Sequence, residues 1–143
     1  PPALDRKYEK QVQDFCRELI QRGFISSAHD CSEGGLAIAV AESCFSPGCQ
    51  TLGATLALES TLRNDTLLFG ETQSRIVISF PEERINEIED LAMAFPVDFS
   101  LIGKVEGSHF TIIVNGNEII KQEIDVLKEI WKTSLGNYAG QTT

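Results

Sequence analysis

A polar loop followed by two glycines and an apolar run constrains the fold more than any other feature of the sequence. Residues 29–33 are His, Asp, Cys, Ser and Glu, two glycines follow, and residues 36–41 carry no polar side chain. Asp30 and Ser32 can accept hydrogen bonds from the free N–H groups of a first helical turn. The pattern therefore predicts a loop that opens a largely buried helix over about residues 35–45.

Two interpretations of the glycine pair stay open at this point. Gly34 and Gly35 allow unusual backbone dihedrals and the close approach of a ligand or of another backbone segment. In the functional interpretation, the start of the helix offers N–H groups and a positive dipole end to an anion. In the structural interpretation, the glycines only permit tight packing of a capped helix. Spacing alone favours the structural interpretation, because no glycine-rich phosphate-loop pattern is present.

Composition limits the classes of function. A chain of 143 residues suggests one domain, and 42% hydrophobic residues are enough to build a core. The net charge of −9 argues against a nucleic-acid or anionic membrane surface. The sequence contains no secretory signal and no apolar run of membrane-spanning length. Because the chain starts at Pro1 without Met, we expect an excised fragment of a longer protein, from which a targeting segment could have been lost.

The four cysteines and two histidines do not have the spacing of a metal site. Cys16 and Cys44 lie in apolar helical patterns and are predicted to be small buried hydrophobes. Cys44 and Cys49 could approach each other across the intervening turn, but we expect free thiols in a reducing cytoplasm. Cys31 as a nucleophile is a minor alternative, because its neighbour His29 need not face it.

The remaining periodicities predict an α+β fold in which helices cover a mixed β-sheet. Predicted helices lie near residues 5–21, 35–45, 81–95 and 124–134. Predicted strands lie near residues 52–58, 75–80, 99–105 and 110–114. The segments between them are predicted to be a short link or strand at 24–28, a loop or helical turn at 60–66, a hairpin at Gly107-Ser108, a turn at 115–117 and a mobile tail after Gly136.

A second polar cluster precedes the strand predicted near residue 75. Residues 70–75 hold more hydrogen-bonding side chains than the entrance to a strand requires. Gln73 offers donors and an acceptor, Arg75 a bidentate fork, and Glu71 a carboxylate. A ligand site and an internal Glu71–Arg75 ion pair are both compatible with this pattern. We expect this cluster and the residue 29–35 loop to lie at the same end of the sheet and to share one ligand or water network.

Two motifs resemble a known family. Residues 29–37 and 41–42 resemble the HDxSxGGLA segment of the aminoimidazole ribonucleotide synthetase C-terminal domain family. Residues 69–75 resemble the FGE(S/T)QSR segment of the phosphoribosylformylglycinamidine synthases within it. The resemblance implies that residues 1–143 are a single α+β domain of a larger synthetase, without a catalytic residue or metal ligand of its own. The ligand-binding positions that it implies are Asp30, Ser32, Gly34, Gly35, Glu71, Thr72, Gln73 and Arg75.

The resemblance also implies an activity for the full-length enzyme. It is the ATP-dependent conversion of formylglycinamide ribonucleotide and glutamine-derived ammonia into the amidine, in purine biosynthesis, with Mg²⁺ as a cofactor. The implied partners are the enzyme's own nucleotide-binding domains, a glutaminase subunit and a small bridging subunit. In the alternative, the chain belongs to a non-catalytic half that holds a nucleotide and supports assembly of the complex.

Two apolar segments beside the polar loops are predicted to face a partner domain. Phe24 and Ile25 precede the first loop, and residues 67–69 precede the second. Apolar surface left bare on an excised domain usually marks an interface. We therefore expect these residues to be partly exposed, mobile or covered by self-association. The alternative is that they complete the core.

Overall fold

The computed structural model describes residues 5–45 and 50–140, and within residues 135–140 only the helical backbone. The described helices are α1 (Arg6–Gln21), α2 (Gly35–Cys44), α3 (Asn64–Phe69), α4 (Ile85–Ala94) and α5 (Ile124–Gly140). The described strands are β1 (Ser27–Asp30), β2 (Ala54–Leu58), β3 (Ile76–Ser79), β4 (Gly103–Val105), β5 (His109–Val114) and β6 (Asn117–Glu123). The predicted α+β class is confirmed.

The chain divides into two compact units. Unit 1 combines Pro1–Ser43 with Leu62–Leu101, and unit 2 combines Cys44–Thr61 with Ile102–Thr143. In unit 1, β1 and β3 pair antiparallel. In unit 2 the strand order is β4-β2-β5-β6, with β2 parallel to β5 and the other neighbours antiparallel. The predicted mixed sheet is therefore the sheet of unit 2, and the separate two-stranded sheet was not foreseen.

The core of unit 1 lies between α1 and α4. Asp5 caps α1, because its Oδ1 accepts hydrogen bonds from the N–H groups of Lys7 and Tyr8. The amphipathic pattern of both helices places apolar side chains on one face, as predicted. The buried residues of this core are Phe15, Leu19, Ile88, Leu91 and Ala92.

Helix α2 is apolar on nearly all sides and largely buried, as predicted. Only Ile38 and the polar end of the helix reach solvent to a substantial degree. A helix without a polar face belongs in an interior rather than at a surface. The buried residues are Leu36, Ala37, Ala39, Val40, Ala41 and Cys44.

The core of unit 2 is one face of its sheet. β2 shows the predicted alternation, and its parallel neighbour β5 matches it in register, with Leu56 opposite Ile112. Side chains on the same face of neighbouring strands contact one another, so the two alternating patterns bury a common surface. The buried residues are Ala54, Leu56, Leu58, Phe110, Ile112 and Val114.

The hairpin predicted at Gly107-Ser108 is wrong. β4 and β5 flank that turn, but β2 lies between them in the sheet. The two-residue hairpin instead joins β5 and β6 at the predicted 115–117 turn. Asn115 and Gly116 have φ values of 49° and 76° there. Two consecutive positive φ values suit the turn that follows the natural twist of a hairpin.

Several predicted boundaries differ from the structure. Residues 64–69 form a short helix, which is too short for helical periodicity to identify. Of the residues predicted to form a strand over 99–105, only the last three, Gly103–Val105, do so. Pro81 precedes a 3₁₀ turn, Glu82–Arg84, rather than occupying the first turn of α4. Helix α5 continues through Gly140, beyond the predicted start of a mobile tail. Residues 46–49, which include Cys49 and the turn predicted before it, lie outside the described residues.

The predicted exposure of the two apolar segments is met only in part, because Phe24 and Ile25 pack against the core of unit 1, as the alternative states. Phe24, Ile25 and Leu67 are partly buried, and Phe69 is 48% exposed. Leu68 is only 1% exposed, so the prediction is wrong there. The short helix α3 explains the difference, since successive helical residues point about 100° apart.

None of the helices in the described ranges combines the length and apolar character that crossing a bilayer requires.

Candidate functional site

The pairing of β1 with β3 brings the two polar loops together. The strands run antiparallel with Asp30 opposite Ile76, so the loop after β1 adjoins the loop before β3. The N–H of Cys31 extends this ladder by donating to the carbonyl of Arg75, at 3.0 Å. The prediction that both loops lie at the same end of the sheet is confirmed.

Glu71 joins the two loops directly. The N–H of Gly34, just before α2, donates to Oε1 of Glu71 at 2.9 Å. The expectation that Asp30 and Ser32 serve the free N–H groups of the helix start is not what the structure shows. The Ser32 hydroxyl donates to the Asp30 carboxylate instead, at 2.6 Å. A carboxylate from the second loop thus fills the role that a local side chain usually has at a helix N-terminus.

The glycine pair permits a close approach of backbone to backbone. Gly34 and Gly35 have φ values of +73° and +72°, a region that residues with a side chain rarely adopt. A Cβ on Gly35 would lie 2.7 Å from the carbonyl carbon of Phe69 and 2.9 Å from the carbonyl oxygen of Leu68. At Gly35 the structural interpretation therefore holds, since the end of α3 occupies the space.

The second loop is held by its own arginine. Nη1 of Arg75 donates to the carbonyl of Gly70 at 3.2 Å and approaches the Thr72 hydroxyl at 3.5 Å. The alternative of an internal Glu71–Arg75 ion pair is therefore wrong, since Glu71 is bound to Gly34 and Arg75 to its own loop. An arginine that braces the loop through one nitrogen retains further donors for a ligand.

A third contact anchors the second loop to α1. The Ser74 hydroxyl donates to Oε2 of Glu9, and Nε2 of Gln13 donates to Oε1 at 2.6 Å. The hydrogen bond from Ser74, and then that from Gln13, lowers the pKa of Glu9 below its usual value. Sequence reasoning missed Glu9, because no local pattern links it to a residue 65 positions away.

His29 is engaged within unit 1. Its Nδ1 donates to the carbonyl of Asp30 at 2.7 Å, and its Nε2 lies 3.1 Å from Oε2 of Glu42. Both ring nitrogens therefore face protein oxygens.

The three cysteines among the described residues lack the properties of nucleophiles. Cys31 is 2% exposed, and burial raises the pKa of its thiol, an effect that outweighs the nearby Arg75. Burial also raises the pKa of Cys44 to about 11 and that of half-buried Cys16. A thiol that stays protonated is a poor nucleophile, so the alternative role for Cys31 is disfavoured. Cys44 is buried as predicted, whereas Cys16 is only partly buried, so the prediction is wrong there.

The loops leave a group of polar side chains facing solvent at their junction. The Asp30 side chain is 66% exposed, and Ser32, Thr72 and Gln73 are also exposed. The group offers hydroxyl and amide donors, the partly buried guanidinium of Arg75 and one carboxylate. It can therefore hydrogen-bond a polar, anionic molecule without breaking the contacts that join the loops.

The chain matches the model of a protein family and named relatives. Residues 1–115 match the family described as AIR synthase related protein, C-terminal domain. The Moorella thermoacetica protein named phosphoribosylformylglycinamidine synthase subunit PurL is 42% identical over 135 residues, which are 94% of this chain and 18% of that protein. A protein of the same name from Thermoanaerobacter sp. is 39% identical over 132 residues, covering 92% of this chain and 18% of that protein.

A solved structure shares the fold. The crystal structure of phosphoribosylformylglycinamidine synthase II from Thermotoga maritima matches with a TM-score of 0.75 at 19% sequence identity, over 88% of this chain and 22% of that one. The chain thus spans about a fifth of the length of the relatives that it matches. Since the family model covers most of the sequence, the chain belongs to the family of AIR synthase related protein C-terminal domains.

Proposed function

We propose that the chain is the C-terminal domain of one half of a phosphoribosylformylglycinamidine synthase, and that its two joined loops line the site of a phosphorylated ligand. The supporting observation is the group of exposed polar side chains at one end of β1 and β3. The named relatives point the same way. For the Thermotoga maritima protein, structures with ATP and with FGAR have been solved.

The proposed reaction belongs to the full-length enzyme, an amidine-forming ATP-dependent ligase. ATP phosphorylates the amide oxygen of formylglycinamide ribonucleotide, and ammonia then displaces phosphate to leave the amidine, ADP and phosphate. Within this chain, Arg75, Gln73 and the Thr72 hydroxyl supply donors for phosphate or ribose oxygens. The Ser32 hydroxyl, whose proton is donated to Asp30, offers its oxygen as an acceptor. Asp30 supplies an acceptor. These residues bind and orient, and the groups that react lie elsewhere in the enzyme.

Glu71, Gly34 and Gly35 have a different part in the proposed site. They join the loops and seat α2 against the end of α3, so they shape the site without needing to touch the ligand. Magnesium is not assigned to this chain. Within residues 5–45 and 50–140, no three His, Cys, Asp or Glu side chains lie together as potential metal ligands.

The second candidate function is a half that binds a nucleotide tightly without turning it over and supports assembly. The internal bonding of His29 and Glu71 favours it, since these motif residues are occupied within the domain. A structure of PurLQS from Thermotoga maritima exists. By analogy we propose a glutaminase subunit and a small bridging subunit as partners, in the cytoplasm. Both candidates predict ligand binding at the loops and differ in the effect on turnover.

Asp30→Asn in the full-length synthetase separates the two candidates. Because the Asp30 side chain is largely exposed, the substitution should leave the melting temperature nearly unchanged. In the first candidate, the KM for FGAR or ATP rises about tenfold, as expected for a lost charge-assisted hydrogen bond. In the second, steady-state turnover is unchanged and only binding of nucleotide to the auxiliary site weakens.

Asp90→Asn is the matched control, since Asp90 is exposed on α4. It should change neither the KM values nor the melting temperature. If Asp30→Asn alters neither turnover nor the binding of ADP and FGAR, the loop around Asp30 does not contact a ligand and the proposed site is wrong.

A further inference from the structure

The loop of residues 70–75 carries a conformation that needs support from outside the loop. Ser74 has a φ of 63°, in the left-handed region that a residue with a Cβ seldom occupies. Glycine would adopt this conformation at little cost, but the chain has serine here. Such residues persist where the surrounding structure holds them, and they cluster at functional sites.

The support comes from Glu9 on α1. The Ser74 hydroxyl donates to one oxygen of the Glu9 carboxylate, and Gln13, one turn further along α1, holds the other oxygen. Glu9 and Ser74 are both partly buried, which shields their hydrogen bond from competing water. The lowered pKa of Glu9 agrees with a carboxylate that stays charged and accepts these bonds.

Ser74 lies directly between two of the residues assigned to the ligand. If Ser74 left the left-handed region, the backbone would turn at this point and the side chain of Gln73 would be redirected relative to Arg75. On the other side of Ser74, Arg75 is already held in place. Its carbonyl accepts a hydrogen bond from the N–H of Cys31, and its guanidinium donates one to the carbonyl of Gly70. The Glu9 contact is therefore the one that sets the direction of Gln73.

We propose that Glu9 is a positioning residue, which holds Ser74 in the left-handed turn and so presents Gln73 and Arg75 to the ligand. The proposal rests on the proposed function, since it assumes that this loop contacts a ligand. Glu9 itself touches no substrate. Its role is to make the loop rigid before binding, so that the ligand does not have to order it.

The test uses two variants of the full-length synthetase, Ser74→Gly and Glu9→Ala. Ser74→Gly removes the hydroxyl, allows positive φ freely and keeps the backbone N–H, which also hydrogen-bonds to Glu9, so it tests the side-chain contact alone without adding backbone strain. We expect each variant to raise the KM for FGAR or ATP by about tenfold, the scale of a lost hydrogen bond to a charged group, with kcat unchanged. The affected substrate should be the one whose KM rises in Gln73→Ala and Arg75→Ala. Glu9→Gln should recover most of the loss, because an amide oxygen still accepts a hydrogen bond.

Glu18→Ala is the matched control. Glu18 also lies on α1, and its Oε1 accepts a hydrogen bond from Nε of Arg22 at the end of the same helix, at 2.7 Å. Its KM values should equal those of the parent enzyme. Thermal melting identifies a variant that fails to fold. If Glu9→Ala fails to fold, the KM values of Ser74→Gly alone test the positioning role.

Two outcomes would overturn the proposal in distinguishable ways. If Gln73→Ala and Arg75→Ala raise a KM while Glu9→Ala and Ser74→Gly do not, the loop binds its ligand without help from Glu9. If none of the four variants changes a KM, the proposed function of the loop fails and the positioning role fails with it. The double variant of Glu9 and Ser74 should be no worse than Glu9→Ala alone, because Glu9→Ala already removes the hydroxyl contact that Ser74→Gly removes.

Discussion

At Gly35 the space for a side chain is taken by the backbone of another element. From the sequence, a glycine pair before a helix fits both anion binding and tight packing. The contact with Phe69 and Leu68 decides in favour of packing at this position. Gly34 has a second role, since its N–H is the donor that joins the loops. The two neighbouring glycines of this motif therefore have different roles: Gly35 permits close packing, and Gly34 donates the hydrogen bond that joins the loops.

Gly35→Ala should destabilise the chain more than Gly23→Ala does. Both glycines have positive φ, but nothing lies within 4 Å of a Cβ on Gly23. Gly23→Ala should therefore lower the free energy of unfolding by about 1 kcal/mol, the backbone cost alone. Gly35→Ala adds a clash with rigid backbone, for a total loss of roughly 2–4 kcal/mol. Urea unfolding followed by circular dichroism measures both values, and equal losses would show that α3 yields without cost.

Among the elements, the β5–β6 hairpin depends on one asparagine. Besides adopting positive φ, Asn115 accepts a hydrogen bond from the N–H of Ser60 at 3.0 Å and donates to its carbonyl at 2.8 Å. This paired contact fixes the segment after β2 against the hairpin within unit 2. The asparagine therefore stabilises both a turn and a contact between segments distant in sequence.

Asn115→Ala should lower the free energy of unfolding by about 2 kcal/mol, because it loses two hydrogen bonds and places alanine at positive φ. Asn115→Gly keeps the turn and loses only the bonds, so its loss should be smaller. Asn117→Ala serves as the comparison, because it loses a single exposed hydrogen bond, from its side chain to the carbonyl of Asn115 at 3.1 Å, and should lower the free energy of unfolding by only about 0.5 kcal/mol. Chemical denaturation ranks the three variants, and a glycine variant as unstable as the alanine variant would remove φ from the explanation.

The sequence was sufficient for elements with long periodic patterns and insufficient for strand pairing. α1, α2 and α4 were predicted because their apolar positions repeat over several turns. β4 and β5 were wrongly joined, because a local turn signal does not reveal that β2 inserts between them. The candidate site likewise combines features that are visible in the local sequence with one that is not. Each loop was recognisable locally, whereas Glu9 contributes through a contact that only the fold creates.

At the scale of the whole molecule, we predict that the 143-residue chain folds alone but does not catalyse. Both units have apolar cores, yet the chain spans only 18% of the length of its named relatives. Thermal unfolding monitored by circular dichroism should be cooperative, and incubation with ATP, FGAR and ammonia should release no ADP above background. Steady amidine formation by the isolated chain would place the reacting groups inside it and overturn the proposed division of roles.

The two units are interleaved along the chain, and this arrangement governs how the domain can be made. Any break between Cys44 and Leu101 separates segments of both units. During synthesis on the ribosome, β1 emerges long before its partner β3, and β2 stays unpaired until β4 and β5 have emerged. Pairings between distant segments form slowly and leave unpaired strands exposed in the meantime. The nascent chain therefore cannot complete one unit and then begin the other, and it carries open strand edges until the last third of its length has been synthesised.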